Sequence, residues 1–493
     1  MAHSEPVIVE TAFGRVQGEA QHEASGGFVR FSGLPYGGSV VGSQRFALPG
    51  TPPSWTGLRD ATVRASIPPQ PPSRLAKVMG DFPATQGEDC LYVDVWMPRD
   101  CGQGRPVFVF LHGGAFITGG GSVSCYDGGL LAERTGAVVV NVTYRLGVLG
   151  LLPVPGIAAP NLFMHDQIAA LRWVRQTIAA FGGDPGRITI VGQSAGAYSI
   201  ALLLAHPVGR ELFDRAILMS TPLGLALPTL DDAEKLAGEF LRELGLTPDQ
   251  AKSLRDMPLE RLLQAQTALL RRPPTGAPGD VAPPFLPVID GDLVPALPMQ
   301  AIAAGVGAWC PTMIGVTREE MAAFYIDSPL ESISDAAVLG EYQKVFGDGA
   351  ANAFQKALAA RAPGSPVAAL MDLRGDEMFV TPTLEFARLQ GAGGHRAFVY
   401  QFDWQAPQSN VGACHCIDLP FLFGNLGDWQ GALMLAGSHP KETADLSRAM
   451  QDAFATFARS GDPNAPGLPV WPSHDHHGAV LHFDRKITAV GAV

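Results

Sequence analysis

Short, almost wholly apolar runs punctuated by glycine and proline set the rhythm of this chain. Such runs are read at Val7–Glu10, Phe28–Phe31, Tyr92–Trp96, Val107–His112, Ala137–Thr143, Ile188–Gly192, Ala216–Ser220, Thr312–Val316 and Ala397–Phe402. Strands without polar alternation belong to a sheet covered on both faces. Between two of them, Asp166–Phe181 carries Ile168, Leu171, Trp173, Val174, Ile178 and Phe181 at three- and four-residue spacing, which predicts an amphipathic crossover helix. Strand, helix, strand in that order predicts an α/β fold, a large and mostly parallel central sheet with helices on both faces. Two stretches break the rhythm. Residues 230–272 and 331–390 are helix-patterned, and the first is followed by the breaker run RRPPTGAPGDVAPPF. Both read as helical cap insertions, over about 225–285 and 325–390, in a single domain of residues 1–493.

Composition narrows the partners. Lysine and arginine total 35 against 47 aspartates and glutamates, a net charge of −12. So acidic a chain is repelled by phosphate backbones and anionic bilayers, which argues against nucleic acid and membrane as partners. No apolar window is long enough for a transmembrane helix. The N-terminus MAHSEPVIVETAFGRVQG reads as strand, turn and strand and not as an export signal. Six cysteines (Cys90, Cys101, Cys125, Cys310, Cys414, Cys416) are too few for a disulfide framework. Reduced thiols in the cytoplasm are expected, in a monomer or homodimer.

The strongest local pattern is GQSAG at 192–196, with an apolar run before it and a helical pattern after it. That is the setting of a nucleophile elbow, in which a sharp turn holds the central serine in a strained conformation at the edge of a sheet. Ser194 is the candidate nucleophile. A serine hydroxyl needs a base, an orienting acid and donors for the oxyanion. The run VFVFLHGGAFITGGG supplies a small-residue loop directly after a strand, and Gly114, Ala115 and Ala195 are the candidate N–H donors of an oxyanion hole. A phosphate-cradling loop is the competing reading, but the Lys-Ser/Thr that should follow and the G-x-G-x-x-G spacing are both missing.

With these motifs the chain resembles the type-B carboxylesterases of the α/β-hydrolase fold, a family that includes bacterial para-nitrobenzyl esterase-like enzymes and the cholinesterases. The matching segments are FSGLPYG (31–37) with Arg45-Phe46, EDCLYVDVW (88–96), HGGAF (112–116), TYRLGVLG (143–150), FGGDP (181–185), GQSAG, FDRAI (213–217), PVIDGD (287–292), GVTREE (315–320), GACHCIDLPFLFG (412–424) and SGDPN (460–464) with Trp471-Pro472. Their order and spacing carry the resemblance. It implies Glu320 as the acid, at the second position of the GVTREE pair, with Glu319 the nearest competitor or a solvated charge. It implies His415 as the base, in its G-A-x-H context. The chain order Ser, Glu, His is that of α/β-hydrolases. Of the other histidines, His112 belongs to the oxyanion loop and His165 to a helix start, while His474, His476 and His477 read as surface residues. The resemblance also implies two structural ion pairs, Arg45 with Glu88 and Arg145 with Asp166.

Departures from the family pattern bear on chemistry. Gln193 stands where many members have glutamate, which weakens any case for a cationic substrate. Ala115 replaces a commoner glycine, Met321 follows the acid where glycine is usual, and Cys416 follows the histidine where a small residue is usual. The segment SIPPQPPS lacks the cysteine that would pair with Cys90 in secreted relatives. Cys414-His415-Cys416 raises a metal site, but no second Cys/His pair has ligand spacing, and neither metal nor cofactor is expected. The reading is a serine carboxylic-ester hydrolase acting through an acyl-enzyme on small to medium, uncharged esters. Hydrolysis of aryl carbamates, amides or thioesters on the same triad is the alternative, and a non-catalytic adhesion-type homologue the third.

Overall fold

In the computed structural model the apolar runs pair into one sheet of thirteen strands. It describes residues 6–21, 26–100, 102–271, 281–327, 333–360, 365–474 and 478–491. The strands are β1 (Pro6–Thr11), β2 (Gly14–Gln21), β3 (Phe28–Pro35), β4 (Leu58–Asp60), β5 (Tyr92–Pro98), β6 (Arg105–Leu111), β7 (Val138–Val142), β8 (Gly183–Gln193), β9 (Arg215–Met219), β10 (Thr312–Thr317), β11 (Ala397–Phe402), β12 (Val480–Phe483) and β13 (Thr488–Val490). Their order is β1-β2-β3-β5-β7-β6-β8-β9-β10-β11-β12-β13, with β4 beside β2. The sheet is parallel from β7 to β12 and antiparallel at both margins, save that β4 lies parallel to β2. The expected nine strands are all present. The short β4, β12 and β13, of three or four residues each, are too brief to stand out in the sequence.

Alternate side chains of each central strand enter different cores. In β6, Val107, Val109 and Leu111 pack on one face and Phe108 and Phe110 on the other. In β7, Val138, Val140 and Val142 face the first core while Val139 faces the second. Both faces are covered, which is why these runs show no polar alternation.

The crossover helix runs from Leu162 to Thr177 and continues as a 3-10 turn through Phe181. It begins one turn earlier than the pattern predicts. Asn161, at φ +56°, turns the chain into it, and the Asn161 amide is fixed to the carbonyl and N–H of Val288 at 2.8 Å each. Asp166 therefore lies inside the helix, fully buried, and takes a bidentate pair from Arg145 at 2.7 and 2.8 Å.

The two helix-patterned stretches hold Leu230–Glu243 and Leu259–Leu270, then Asp335–Phe346, Ala350–Ala360, Pro366–Gly375 and Thr381–Ala392. Arg45 ties the first to the scaffold. It forks onto Glu88, with Nη2 2.6 Å from Oε2, and donates from Nη1 to the carbonyls of Leu254 (2.9 Å) and Met257 (2.6 Å). The helices of 335–375 close around their own small core of Val338, Tyr342, Phe354 and Leu370. His474 is buried and not on the surface: its Nδ1 lies 2.9 Å from the Ala479 carbonyl. His476, His477 and Cys101 lie outside the described residues.

Candidate active site

Every predicted site residue follows the C-terminal end of a parallel strand, and the register brings those ends side by side. Leu111 pairs with Gly192, Gln193 with Met219, Met219 with Gly315, and Thr317 with Phe402. Ligand sites of α/β sheets form at this edge.

Ser194 leaves β8 at φ +56°, ψ −120° and opens the helix Ala195–Leu204. The bend is held by Ser194 N–H donating to the Met219 carbonyl and Tyr198 N–H donating to the Ser194 carbonyl, both at 2.8 Å. It requires both glycines of GQSAG. A Cβ on Gly196 would stand 2.0 Å from the Leu111 carbonyl oxygen, and one on Gly192 would stand 2.6 Å from the Gly196 backbone. Strand and helix touch so closely here that no side chain fits between them.

The loop after β6 curls back on itself. Ile117 and Thr118 N–H groups both donate to the Gly114 carbonyl at 3.0 Å. Ala115 and Phe116 are left-handed at φ +55° and +61°, so the alanine occupies a conformation that glycine adopts without strain. Gly114, Ala115 and Ala195 line the same cavity as Ser194, and among the described residues none of their N–H groups is engaged by another group. His112 supports the loop. It stacks on Tyr144 at 4.3 Å, and its Nδ1 lies 2.8 Å from the Gly113 carbonyl. Burial lowers its pKa to about 4, so the ring is neutral and Nδ1–H is the donor.

Glu320 and His415 come from different strands and meet at 2.6 Å between Oε2 and Nδ1, with both side chains 1% exposed. The other carboxylate oxygen accepts the Thr317 N–H at 2.8 Å, which fixes the acid's orientation. Glu319 is not a solvated charge. Its N–H donates to the Ala413 carbonyl, and its Oε2 accepts the Ala413 N–H at 2.8 Å, so it pins the loop that presents His415. Glu319 and Glu320 thus divide the work of one dipeptide: one holds the loop and the other faces the imidazole. Met321 packs on Val316, Tyr325 and Phe379. Cys416 sits at φ +75°, which accounts for the usual small residue there. The Cys414 and Cys416 thiols are buried, and burial raises both pKa values.

Three features were not legible in the sequence. The Gln193 amide Nε2 lies 3.1 Å from His415 Nε2, the ring atom that faces away from Glu320. Phe324 and Phe379 pack on the imidazole with centroids at 5.0 and 5.2 Å. Phe379 reaches it from a π-helical turn, Asp376–Val380, a local widening of the helix that no periodicity predicts. Asp418 is fully buried near the pair. It accepts the Tyr400 hydroxyl at 3.1 Å on one oxygen and has no partner on the other. Burial and then the nearby Glu320 charge raise its pKa to about 7. Its place three residues after His415 is the one signal that could have flagged it.

The cavity in front of Ser194 has a volume of about 360 Å³ and is walled mainly by apolar side chains, among them Leu75, Met79, Leu225, Leu286, Phe324 and Phe379. That is the size and character of a small-molecule site. Among the described residues no three His, Cys, Asp or Glu side chains gather as a metal-holding group, and no helix is long and apolar enough to cross a membrane.

Known proteins resemble this chain over nearly its whole length. The chain is 37% identical over 455 residues to the phenmedipham hydrolase of Pseudarthrobacter oxydans, covering 91% of this chain and 89% of that protein. It is 35% identical to the para-nitrobenzyl esterase of Bacillus subtilis, over 98% and 95% of the two chains. A solved para-nitrobenzyl esterase structure superposes with a TM-score of 0.85 at 33% identity, covering 98% of this chain and 97% of that one. The carboxylesterase of Geobacillus stearothermophilus gives 0.85 at 32%, with the same coverage. The model of the carboxylesterase family matches residues 5–492, and with the sheet, the bend at Ser194 and the Glu320–His415 pair in place, the chain belongs to that family, an α/β-hydrolase that hydrolyses carboxylic esters.

Proposed function

We propose that Ser194, His415 and Glu320 form the catalytic triad of this esterase and that the N–H groups of Gly114, Ala115 and Ala195 form its oxyanion hole. The buried 2.6 Å contact between His415 Nδ1 and Glu320 carries the reading. It sets the imidazole tautomer with the proton on Nδ1 and leaves Nε2 basic, in the cavity that Ser194 lines. In acylation His415 Nε2 takes the Ser194 proton as Oγ attacks the ester carbonyl, and the carbonyl oxygen becomes an oxyanion facing the three N–H groups. His415 then gives the proton to the departing alcohol. Water, deprotonated by the same nitrogen, attacks the acyl-enzyme, the carboxylic acid leaves, and Ser194 recovers its proton. Glu320 orients and stabilises the imidazolium in both halves.

The two insertions form the cap of this site: the loops flanking the helices of the first bring Leu225 and Val281 to the cavity wall, and the second brings Met378 and Phe379. The free, buried state of the five described cysteines supports a cytoplasmic address. Aryl carbamates remain the alternative substrate on the same triad, and a matched pair of a 4-nitrophenyl ester and a phenylcarbamate separates the two by kcat/KM.

Ser194→Ala is expected to abolish turnover of 4-nitrophenyl butyrate while the melting temperature stays within a few degrees, because the alanine fills the same bend. The wild-type protein is expected to take up one equivalent of a phosphonate on Ser194. Turnover persisting in the variant above a few per cent of wild type would overturn the assignment.

A further inference from the structure

Among the described residues, the cavity wall contains one cation that catalysis does not use. Arg74 lies in the loop before the short helix Ala76–Met79 and lines the cavity with Ser194 and His415. Among the described residues it has no acidic partner, and its single hydrogen bond runs from Nη1 to the Val281 carbonyl at 2.8 Å. The rest of its donor fork is open. The guanidinium Cζ sits 4.9 Å from the centroid of Phe324, and that ring is 5.0 Å from the centroid of His415. The cation therefore stands no farther from the imidazole than the sum of the two, 9.9 Å. Lys77, three residues further on, is by contrast paired with Asp327.

We propose that Arg74 is a specificity-determining residue that binds a carboxylate on the substrate, so that this enzyme prefers esters carrying a second, ionised carboxyl group. A guanidinium offers a planar fork matched to carboxylate geometry, and a ring face beneath it restricts its motion and strips part of its water. The apolar walls between Arg74 and Ser194 suit a hydrocarbon spacer. Gln193 had pointed away from cationic substrates and toward uncharged ones. Arg74, which no motif marks, extends the same trend to anions. The exposed Asp81 also lines the cavity and makes no ion pair with Arg74, so it opposes an anion and supplies an internal control.

The inference rests on Ser194-dependent ester hydrolysis, and the experiment keeps the two apart by reading ratios. Background-corrected kcat/KM is measured for 4-nitrophenyl hemiesters of glutaric, adipic and pimelic acid against their neutral methyl esters. The alcohol side is tested with 3- and 4-acetoxybenzoate against the corresponding methyl benzoates. The acid is expected to exceed its methyl ester by about tenfold or more in at least one pair, by less at 0.5 M salt, as a charge-assisted contact requires. Arg74→Gln is expected to collapse that ratio to about one, Arg74→Lys to restore part of it, and Asp81→Asn to raise it. The favoured pair identifies which half of the ester lies toward Phe324. A wild-type ratio at or below one in every pair, or a ratio unchanged in Arg74→Gln, overturns the proposal and leaves the esterase reading standing. Hydrolysis of the methyl esters that survives Ser194→Ala overturns the esterase reading itself.

Discussion

Replacing Asp418 by asparagine isolates the cost of an unpaired buried carboxyl. In the native protein its pKa rises from an ordinary 3.8 to about 7, first through burial and then through the Glu320 charge. The folded state therefore binds a proton that the unfolded chain releases. Between about pH 4 and 7 native Asp418 is protonated while unfolded Asp418 is not, so stability declines as pH rises across that window and is flat above it. The full decline is about 4 kcal/mol, from 1.36 kcal/mol per tenfold change in proton affinity. Asparagine has the same shape, cannot ionise, and keeps an oxygen for the Tyr400 hydroxyl, which bonds the present carboxyl at 3.1 Å. It is expected to be about 1.6 kcal/mol more stable than wild type at pH 5 and about 4 kcal/mol more stable at pH 9. With an unfolding entropy of roughly 2 cal/mol/K per residue, the difference at pH 9 is worth about 4 °C in this chain. The assay is differential scanning calorimetry of both proteins at pH 5, 7 and 9, at one scan rate. Parallel melting-temperature curves, or a variant that loses ground on wild type as the pH rises, would refute the assignment of this proton.

Two further perturbations test the catalytic loops. Gly114→Ala forces a Cβ to within 2.0 Å of the Thr118 carbonyl oxygen at φ +115°. It is expected to lower kcat for 4-nitrophenyl butyrate by about 10²-fold, the cost of a displaced oxyanion donor. Ala115→Gly keeps the N–H in a conformation glycine favours and is expected to stay within about threefold of wild type. Equal effects of the two changes would show that the loop does not hold the oxyanion. Gln193→Glu replaces the amide 3.1 Å from His415 Nε2 by a carboxylate. It favours the imidazolium, and the acidic limb of the kcat/KM–pH profile is expected to move upward. An unmoved or lowered limb would show that the contact is not made in the working enzyme.

What could be read along the chain was whatever local chemistry forces. Glycine at 192 and 196 is imposed by backbone contact at the bend, so the elbow announces itself within five residues. The strand runs are apolar because both faces of the sheet are covered, and that holds wherever the strand sits. The Glu319-Glu320 pair marked the right turn, and only the family resemblance chose Glu320 over Glu319, since which carboxylate meets His415 depends on the path of a loop nearly a hundred residues later. Asp166 looked like a helix start because a buried charge inside a helix cannot be told from a capping one without its partner, Arg145. Arg74 and Phe379 were silent for the same reason, and Asp418 had only its place three residues after His415 to mark it. Each acts through neighbours brought to it by strand order. Sequence fixes which residues can do the chemistry when the requirement is steric and local. Proximity across the sheet edge, and with it the burial that shifts a proton affinity or leaves a cation unpaired, exists only once the chain has folded.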